Sequence, residues 1–344
     1  MKNYTLKVHD IIQETQDTIT LCFKQPGLRK IKYQAGQYLT LSFRINGRKY
    51  TRPYSFSSAP SADVLLETTI KRVPEGIFSN YVHDSIQVGD LVEVMEPMGD
   101  FVHTYDESLN QIYFWGVGSG ITPLISILKE VLISNPLVQV NLIYGNKNFE
   151  STIFLDIINQ LLVQYASRLK VWHCHTQYTH DEKHHFVKSG RINQEFILNL
   201  LKDVAIEKTA HYICGPVDLK STIKETLAVL KCPKATIFSE DFELVKDPKD
   251  FEDIITHNVK IRFQGNDTLV EVLKGKSVLE TALDAGIELP YSCQTGNCNT
   301  CKGKLKEGKM RMIGLTKDRE DLGKEEYLLC CSHPLTDDVY VEIE

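Results

Sequence analysis

The chain lacks any apolar run of the roughly 18 residues that a membrane-spanning helix needs. Its first segment, MKNYTLKVHDIIQET, has no apolar core of the kind that marks a secretory signal. Internal repeats and low-complexity tracts are also missing, and 20 glycines and 12 prolines in 344 residues argue against a fibrous or disordered chain. We therefore expect a globular, cytoplasmic protein of two or three domains.

An excess of basic residues is missing as well. The sequence has 39 Lys and Arg against 45 Asp and Glu, a net charge of −6. A negative net charge gives no reason to expect a nucleic-acid or membrane-surface partner. No pair of residues for general acid–base catalysis and no nucleophile triad is apparent either.

Cysteine, in contrast, is clustered. Nine cysteines are present, and five of them lie in the last 52 residues. The number is odd and no export signal is visible, so a disulfide framework is not expected. Metal binding or catalysis is the sharper interpretation of the cluster, which consists of Cys293, Cys298, Cys301, Cys330 and Cys331.

The cysteine spacing is specific. The segment YSCQTGNCNTC has the pattern C-x4-C-x2-C, and the adjacent pair Cys330-Cys331 follows about 30 residues later. Four thiolates in this order are typical of a plant-type [2Fe–2S] cluster, and Gly296 allows the tight backbone path of its loop. The alternative is a structural zinc site or inert thiols, but zinc sites usually have two C-x2–4-C pairs. Spacing alone does not decide between Cys330 and Cys331 as the fourth ligand.

The chain is organised in segments of different character. Residues 1–106 contain short alternating strands between turns, which predicts an antiparallel barrel or sandwich. In residues 107–238 apolar strands alternate with amphipathic helices, which predicts a mostly parallel sheet covered on both faces. The acidic residues of 239–253 predict an extended linker, and residues 254–344 contain strands, one helix and the cysteine cluster.

Two short motifs in the first segment suit a flavin. The strand segment RPYS supplies Tyr54, whose ring can stack on a flavin, and Arg52 and Ser55, which can bind a pyrophosphate. Lys71 is followed by the turn GIFSN, residues 76–80, which opens a short helix whose amino end is a natural phosphate site. Taken alone, each motif is short enough to be a packing or surface feature.

A glycine-rich turn, GVGSGITP at residues 116–123, joins an apolar strand to a helix. Glycines at such a turn let a dinucleotide approach the amino end of the helix. The Rossmann fingerprint G-x-G-x-x-G would require glycine at position 121, where this chain has Ile121. The residues alone therefore leave open a nucleotide site or a plain tight turn.

In this order, the motifs resemble the ferredoxin–NADP reductase superfamily, specifically its oxygenase-reductase branch, in which a plant-type ferredoxin is fused at the carboxyl end. The resemblance covers essentially the whole chain. It implies an antiparallel FAD-binding β-barrel, an α/β NAD(P)-binding domain with a parallel sheet, an acidic linker and an α+β β-grasp ferredoxin domain. The corresponding segments are 1–106, 107–238, 239–253 and 254–344.

The resemblance assigns FAD-binding residues. In the family an R-x-Y-S strand and a later G-x-x-S turn bind FAD, with the tyrosine against the isoalloxazine ring. The family often has paired glycines at that turn, whereas Glu75 precedes Gly76 here. The residues expected at the FAD are Arg52, Tyr54, Ser55, Lys71, Gly76 and Ser79.

The resemblance also assigns the nicotinamide site. The family's C-G-P turn places a thiol beside the nicotinamide, which implicates Cys214, although a buried small residue at a strand end is the alternative. Glu240 lies in I-F-x-E-x-F, which resembles the family's flavin-covering strand, or it simply begins the acidic linker. The expected catalytic residues are thus Cys214 and Glu240. The expected nucleotide-binding residues are Gly118, Gly120, Thr122, Tyr144, Asn146, Gly215 and Pro216.

In the carboxyl-terminal segment the family pattern is C-x-x-G-x-C-G-x-C, and its fourth cysteine is followed by Gln, a small residue, any residue and Pro. Asn299 replaces the middle glycine. Aligning CCSHP with the fourth element implies Cys330 as the ligand and puts Cys331 in the place of Gln. The expected metal ligands are Cys293, Cys298, Cys301 and Cys330.

These assignments predict an NAD(P)H-dependent oxidoreductase. NAD(P)H gives two electrons as hydride, a cluster takes one, and FAD can do both. The expected acceptor is an oxygenase, such as a di-iron monooxygenase of the phenylacetyl-CoA epoxidase type. Alternatives are a reductase of a hybrid-cluster protein or soluble iron–sulfur carrier and, from a different class, a zinc-stapled nucleotide-binding module. NADH versus NADPH stays open, because Lys147 could meet a 2′-phosphate but Gln177 stands where many phosphate-binding relatives have Arg.

Two other patterns have plainer interpretations. Residues 172–186 contain five histidines, and a solvated loop is preferred to a metal site because no four-ligand spacing appears. Residues 302–311 are rich in Lys and Arg, which usually marks a solvated face. Their position after a cluster cysteine makes a docking surface for the partner a hypothesis.

Overall fold

The structure is a computed structural model of the chain. It describes residues 2–27, 30–177, 187–244, 246–315 and 318–343. The chain folds into two compact units. The first unit is Met1–Leu41 with Tyr54–Glu240, and the second is Ser42–Pro53 with Asp241–Glu344. None of the described helices is long and apolar enough to cross a membrane.

Six antiparallel strands of the amino-terminal segment form a barrel. Their order in the sheet is β4-β3-β6-β1-β2-β5, and a bridge between Phe56 and Thr68 joins its two ends. Closure pairs the strand edges that an open sheet would expose. The antiparallel barrel predicted from the sequence is confirmed. The strands are β1 Asn3–Thr15, β2 Thr18–Phe23, β3 Tyr38–Ile45, β4 Arg48–Ser55, β5 Leu66–Lys71 and β6 Leu91–Met95.

The α/β part of the first unit has six parallel strands in the order β10-β9-β8-β7-β11-β12. The strands are β7 Gln111–Val117, β8 Gln139–Asn146, β9 Leu169–His175, β10 Val187–Ser189, β11 Thr209–Cys214 and β12 Ile237–Glu240. Its helices are α2 Ile121–Ser134, α3 Leu155–Gln164, α4 Gln194–Leu201 and α5 Val217–Val229, and α1, Ile77–Ser85, lies in the barrel segment.

The central strand β7 explains why this sheet is buried on both faces. Alternate side chains of a strand point to opposite faces. Ile112 and Phe114 pack into the core with α2 and α3, whereas Tyr113 and Trp115 pack into the core with α4 and α5. An apolar run without alternation is therefore what the predicted parallel sheet requires, and the prediction is confirmed.

Strand order also determines where a ligand can bind. From β7 the chain proceeds outward to β8 and β9 and later returns on the other side of β7 as β11. A switch point thus lies between the carboxyl ends of β7 and β11, and open α/β sheets bind ligands in the crevice at such a point.

The second unit has a mixed five-stranded sheet in the order β14-β13-β19-β15-β17, in which only β13 and β19 of the described strands pair in parallel. One helix packs on it, with a capping box formed by Ser277 and Glu280 at its start and Gly286 at a φ of +80° after its end. The elements are β13 His257–Phe263, β14 Asn266–Val272, α6 Val278–Asp284, β15 Lys302–Glu307, β16 Met310–Met312, β17 Glu326–Leu328, β18 Ser332–Pro334 and β19 Val339–Ile343.

Residues 42–53 belong to the second unit through specific contacts. The Arg44 guanidinium lies 2.9 Å from the Glu288 carboxylate, and the Thr51 backbone N–H donates to the Tyr291 hydroxyl at 2.9 Å. The exposed ion pair contributes little to stability, whereas the hydrogen bond satisfies a buried backbone donor.

The acidic stretch differs from the extended linker that its composition predicts. Pro248–Phe251 forms a 3-10 turn, and the Asp247 carboxylate accepts from the Lys249 N–H at 2.9 Å. Phe251 is buried beside Ile254 and Ile313. Burying an aromatic side chain favours an ordered arrangement by about 2 kcal/mol, which charge counting over the stretch overlooks.

Candidate functional site

The glycine-rich turn after β7 is packed against the end of β11. A Cβ at Gly120 would clash with the Cys214 carbonyl oxygen and lie 2.6 Å from its carbon. Gly118 has a φ of +54°, in the left-handed region that favours glycine. The Thr122 hydroxyl donates to the Ser119 carbonyl at 2.9 Å, at the start of α2. The structure thus brings the predicted nucleotide turn together with the predicted C-G-P turn.

The end of β8 supports the same turn. The Tyr144 hydroxyl donates to the Gly118 carbonyl at 3.0 Å. Burial raises the pKa of the Tyr144 phenol, and a hydrogen bond with Asn146 only partly opposes this, so the phenol is neutral. Tyr144 is therefore a positioning group that holds the glycine turn.

Cys214 ends β11 with Gly116 of β7 on one side and Glu240 of β12 on the other. Burial raises the pKa of the Cys214 thiol well above its ordinary value, and the Glu240 carboxylate adds to the rise. The thiol is neutral at neutral pH and is not a nucleophile. Gly215 and Pro216 follow, and Pro216 occupies the N-cap position of α5.

The two predicted flavin motifs meet in the barrel. The Tyr54 ring lies 5.8 Å from the Phe78 ring at an angle of 31°. The Ser79 hydroxyl accepts from the Val73 N–H at 3.1 Å, and a Cβ at Gly76 would lie 2.7 Å from that hydroxyl oxygen. Only glycine fits this position without a shift, and no side chain caps the amino end of α1.

The residue before this glycine has a left-handed backbone, since φ of Glu75 is +59°. This conformation costs a non-glycine residue about 1 kcal/mol and explains why paired glycines suit the turn. The remaining predicted residues are on or beside the barrel strands. Arg52 donates to the Thr51 carbonyl at 2.8 Å, Ser55 is buried, and the Lys71 ammonium lies 3.4 Å from the Asp17 carboxylate.

All nine cysteines lie within the described residues, form no disulfide and are buried. In the second unit four thiols form two hydrogen-bonded pairs, Cys293 with Cys298 and Cys301 with Cys330. The hydrogen bond from Cys293 lowers the pKa of Cys298 to about 6. Two such pairs of thiols are a donor set suited to binding iron or zinc once the thiols are deprotonated.

The arrangement fits a two-iron cluster better than one zinc ion. The four thiols are grouped as two pairs, Cys293 with Cys298 and Cys301 with Cys330. A zinc site needs four donors around one point, whereas a plant-type cluster divides its thiolates between two irons. The Thr295 N–H lies 3.5 Å from the Cys293 sulfur, and Thr300 hydrogen-bonds Cys298, as ligand sulfurs require.

The cysteine loop needs its glycine. Gly296 has a φ of +76°, and a Cβ there would clash with Leu315 and lie 2.9 Å from the Cys331 sulfur. The loop at Gly296 therefore packs directly against the Leu315 side chain and the Cys331 sulfur.

A charged network on this loop was not predicted from the sequence. The guanidinium of Arg319 donates to the Gly296 carbonyl and the Asn299 side-chain oxygen and lies 2.8 Å from Asp321. Asn299 in turn donates to Asp321 at 3.0 Å. The hydrogen bond from Arg319 lowers the pKa of Asp321. A single Arg about 20 residues beyond the cysteine loop forms no motif, so spacing could not reveal it.

The basic stretch is compensated in the structure. Its ion pairs are Lys302–Glu326 at 2.8 Å, Lys304–Glu325 at 3.9 Å, Lys306–Glu342 at 2.7 Å and Arg311–Asp253 at 2.7 Å. Four of the five cations of this stretch thus have an acidic partner, and the positive charge on which the docking hypothesis depends is partly offset.

The solvated-loop interpretation is wrong for two of the five histidines. His173 and His175 are buried in β9, and both rings contact Phe149 edge-on, with centroids 5.3 and 4.4 Å away. The other three histidines, at 180, 184 and 185, lie outside the described residues.

Comparison with known families agrees with this geometry. Three family models match in order: an oxidoreductase FAD-binding domain over residues 5–103, an oxidoreductase NAD-binding domain over 114–225 and a 2Fe-2S iron-sulfur cluster binding domain over 261–335. These domains define an electron-transferring oxidoreductase whose cofactors are FAD, a [2Fe–2S] cluster and a nicotinamide nucleotide.

Full-length relatives identify the branch. The chain is 31% identical over 355 residues to a subunit of the 1,2-phenylacetyl-CoA epoxidase of Escherichia coli K12, covering 99% of this chain and 98% of the relative. It is 30% identical over 357 residues to the 3-ketosteroid-9-alpha-monooxygenase ferredoxin reductase component of Mycobacterium tuberculosis, covering 98% and 94%. The chain therefore belongs to the oxygenase-reductase family of the ferredoxin–NADP reductase superfamily.

The fold is also similar to that of a solved oxygenase reductase. The solved structure of phthalate dioxygenase reductase superposes with a TM-score of 0.69 at 22% identity, covering 99% of this chain and 98% of that one. The three-part fold predicted from the sequence is thereby confirmed.

The close packing of Gly120 generates a prediction. In Gly120→Ala the added methyl group forces the turn away from β11, so the KM for the nucleotide should rise at least tenfold, about 1.4 kcal/mol. Bound FAD should be unchanged, as measured by absorbance of the released flavin. Gly27→Ala is the control, since a Cβ there meets no described atom within 4 Å. An unchanged KM in Gly120→Ala would contradict the assignment of this turn.

The raised pKa of Cys214 generates a second prediction. Because only the thiolate is alkylated, Cys214 in the native protein should stay unmodified by iodoacetamide near pH 8, when most ordinary thiols react. Peptide mass spectrometry measures the modification, and the urea-denatured protein is the control. Glu240→Gln removes a nearby negative charge but not the burial, so it should accelerate alkylation only slightly. Rapid alkylation of the native wild type would show that the thiol is accessible and ionised.

Proposed function

We propose that this protein takes electrons from NAD(P)H and delivers them one at a time to a separate oxygenase. The observation that carries the proposal is the pairing of four buried thiols in a chain that also has FAD-binding and NAD-binding domains. When bound, FAD accepts a hydride and releases single electrons, and a [2Fe–2S] cluster carries one electron at a time.

The proposed cluster ligands are Cys293, Cys298, Cys301 and Cys330. Their role is supported by the two thiol pairs and by the hydrogen bonds to Cys293 and Cys298. Cys330 is proposed rather than Cys331 because its thiol is hydrogen-bonded to the Cys301 thiol.

The proposed FAD site uses the meeting of β4 with the amino end of α1. Tyr54 stacks on the flavin ring, a role supported by its half-buried side chain beside Phe78. The open amino end of α1, with its N–H groups, binds the pyrophosphate. The groups proposed to complete this site are Arg52, Ser55, Lys71, Gly76 and Ser79.

The proposed nicotinamide site lies at the switch point. Gly118 and Gly120 let the nucleotide approach the backbone, and Thr122 begins the helix whose amino end faces it. The neutral thiol of Cys214 supports the nicotinamide without reacting with it, and Glu240 sets the charge beside that thiol. Tyr144, Asn146, Gly215 and Pro216 hold the two turns.

The partner is proposed only as a class. The names of the relatives belong to different oxygenases, an epoxidase in one and a ketosteroid monooxygenase in the other. A di-iron monooxygenase is one member of this class. We also propose that the domains have the bounds expected from the sequence, which are 1–106, 107–238, 239–253 and 254–344. The proposed location is the cytoplasm. Nine cysteines without a disulfide support a reducing compartment.

Cys293→Ser tests the function. With NADH or NADPH under anaerobic conditions, the wild type should bleach flavin absorbance and then cluster absorbance in stopped-flow measurements. The variant should keep NAD(P)H-dependent ferricyanide reduction within about twofold but lose iron and at least tenfold of its reduction of cytochrome c, which needs a one-electron carrier.

Cys232→Ser is the control, because this buried thiol contacts Thr236 and belongs to the first unit, whereas the proposed ligands belong to the second. A colourless wild type with stoichiometric zinc would contradict the proposal. Iron and flavin without reduction of any tested oxygenase would leave the reductase of another redox protein as the function.

Nucleotide preference generates a further prediction. The Gln177 N–H donates to the Lys147 carbonyl at 2.8 Å, so both exposed residues lie together beyond β8 and β9. In Gln177→Arg a second cation can pair with a 2′-phosphate, so the kcat/KM ratio of NADPH to NADH should rise about tenfold. Gln177→Leu is the size-matched control without charge. An equal change in both variants would show that charge at this position does not select the nucleotide.

A further inference from the structure

A fifth thiol lies directly beside the proposed cluster ligands. The Cys331 sulfur is 3.4 Å from the Cys330 sulfur, within the distance of an S–H···S hydrogen bond. Cys331 is completely enclosed, with no exposed surface. It also lies against the cysteine loop, because a Cβ at Gly296 would come within 2.9 Å of its sulfur. Cys331 therefore lies next to both the proposed fourth ligand and the loop that supplies the other three.

Backbone contacts fix the position of this thiol. The Cys331 N–H donates to the Leu328 carbonyl at 3.0 Å, and its carbonyl accepts from the Ile313 N–H at 2.9 Å. Two residues earlier, the Leu329 N–H donates to the Cys301 carbonyl at 3.0 Å. The backbone on both sides of the Cys330-Cys331 pair is thus held, so the short distance between the two sulfurs is a consequence of the fold.

The two adjacent cysteines have different surroundings. The Cys330 thiol is hydrogen-bonded to the Cys301 thiol and to the Cys331 thiol, and Cys293 also acts on it electrostatically. The Cys331 sulfur lies 3.4 Å from the Cys330 sulfur and faces the position that a Cβ at Gly296 would occupy. Cys330 therefore belongs with the four paired thiols, and Cys331 is a neighbour of one of them.

We propose that the Cys331 S–H donates a hydrogen bond to the Cys330 sulfur and thereby raises the reduction potential of the cluster. The proposal rests on the proposed function, with Cys330 as the fourth ligand. Reduction adds one negative charge to the cluster, and a donor directed at a ligand sulfur stabilises that charge. Cys331 is a positioning residue in this proposal, because it acts through Cys330 and not as a ligand.

A higher reduction potential of the cluster has opposite effects on the two electron-transfer steps. A cluster with a higher potential takes electrons from the flavin more readily and passes them on with less driving force. Replacing a thiol donor by an apolar group should therefore favour the oxidised cluster without changing the ligand set.

The test compares Cys331→Ala, which removes the donor, with Cys331→Ser, which keeps one. The full-length protein loaded with FAD and iron is titrated with redox mediators while EPR follows the reduced cluster. In Cys331→Ala the equilibrium constant for reduction should fall about tenfold, which is about 59 mV for a one-electron couple. Cys331→Ser should restore most of the difference, and iron and sulfide per chain should equal the wild type in both.

Three controls keep the proposal falsifiable. Cys232→Ala removes a buried thiol of the first unit and should leave the potential unchanged. If Cys331→Ala does not fold, Cys331→Val removes the donor while filling the volume. Cys330→Ser should lose iron or change the EPR spectrum, as loss of a ligand requires.

The other outcomes overturn the proposal in distinguishable ways. An unchanged potential in a fully loaded Cys331→Ala would show that the thiol donates no effective hydrogen bond. Loss of iron in Cys331→Ala but not in Cys330→Ser would make Cys331 the ligand. Retention of the cluster in both single variants with loss in the double variant would show that the two cysteines exchange. A wild type without iron and sulfide would instead refute the proposed function.

Discussion

The parallel pairing of β7 with β11 is the interaction on which the nucleotide half of the molecule depends. Both strands are buried on both faces, so their side chains leave no freedom of register. The pairing brings the turn after β7 against the Cys214 carbonyl, a distance at which only Gly120 fits. Packing of the two turns therefore already requires glycine at position 120, whether or not a nucleotide binds there.

The proposed cluster site in the second unit is subject to a different constraint, because its thiolates place negative charge in the protein interior. Thiolates enclosed away from water are costly unless donors and cations compensate them. The chain provides the Thr295 N–H and the Thr300 hydroxyl close to two sulfurs. The Arg319 cation is tied to the same loop and interacts electrostatically with Cys293 and Cys298. A short loop with fixed donors can thus hold a charged group that an apolar core alone would reject.

Sequence patterns predicted the parts of this molecule that depend on neighbours along the chain. The strands β2, TITLCF, and β7, QIYFWGV, agree with the short strands expected in residues 1–106 and the apolar strands expected in residues 107–238, because apolar runs between turns define them locally. The short strands β15 to β18 were not predicted, since they are specified by pairing between distant segments. The same reason hides Arg319, whose partners in the cysteine loop, Gly296 and Asn299, are 23 and 20 residues away. Tertiary packing also buries Phe251, His173 and His175. Polar or acidic residues lie near them in the sequence, and these obscure the burial.

The departures from the family pattern are the most informative residues. Glu75 accepts a left-handed backbone where glycine would be unstrained. Asn299 replaces a glycine and gains hydrogen bonds to Arg319 and Asp321, so its side chain ties the cysteine loop to a distant segment. Cys331 stands where the resemblance implies glutamine, and its sulfur lies 3.4 Å from the Cys330 sulfur. Two of these three changes lie around the proposed cluster and leave its ligands intact. Cysteine ligands fixed by their spacing can stay the same while the residues around them vary. Residues around a metal site tune its reduction potential, so they are the positions at which the potential of a reductase can be matched to its acceptor.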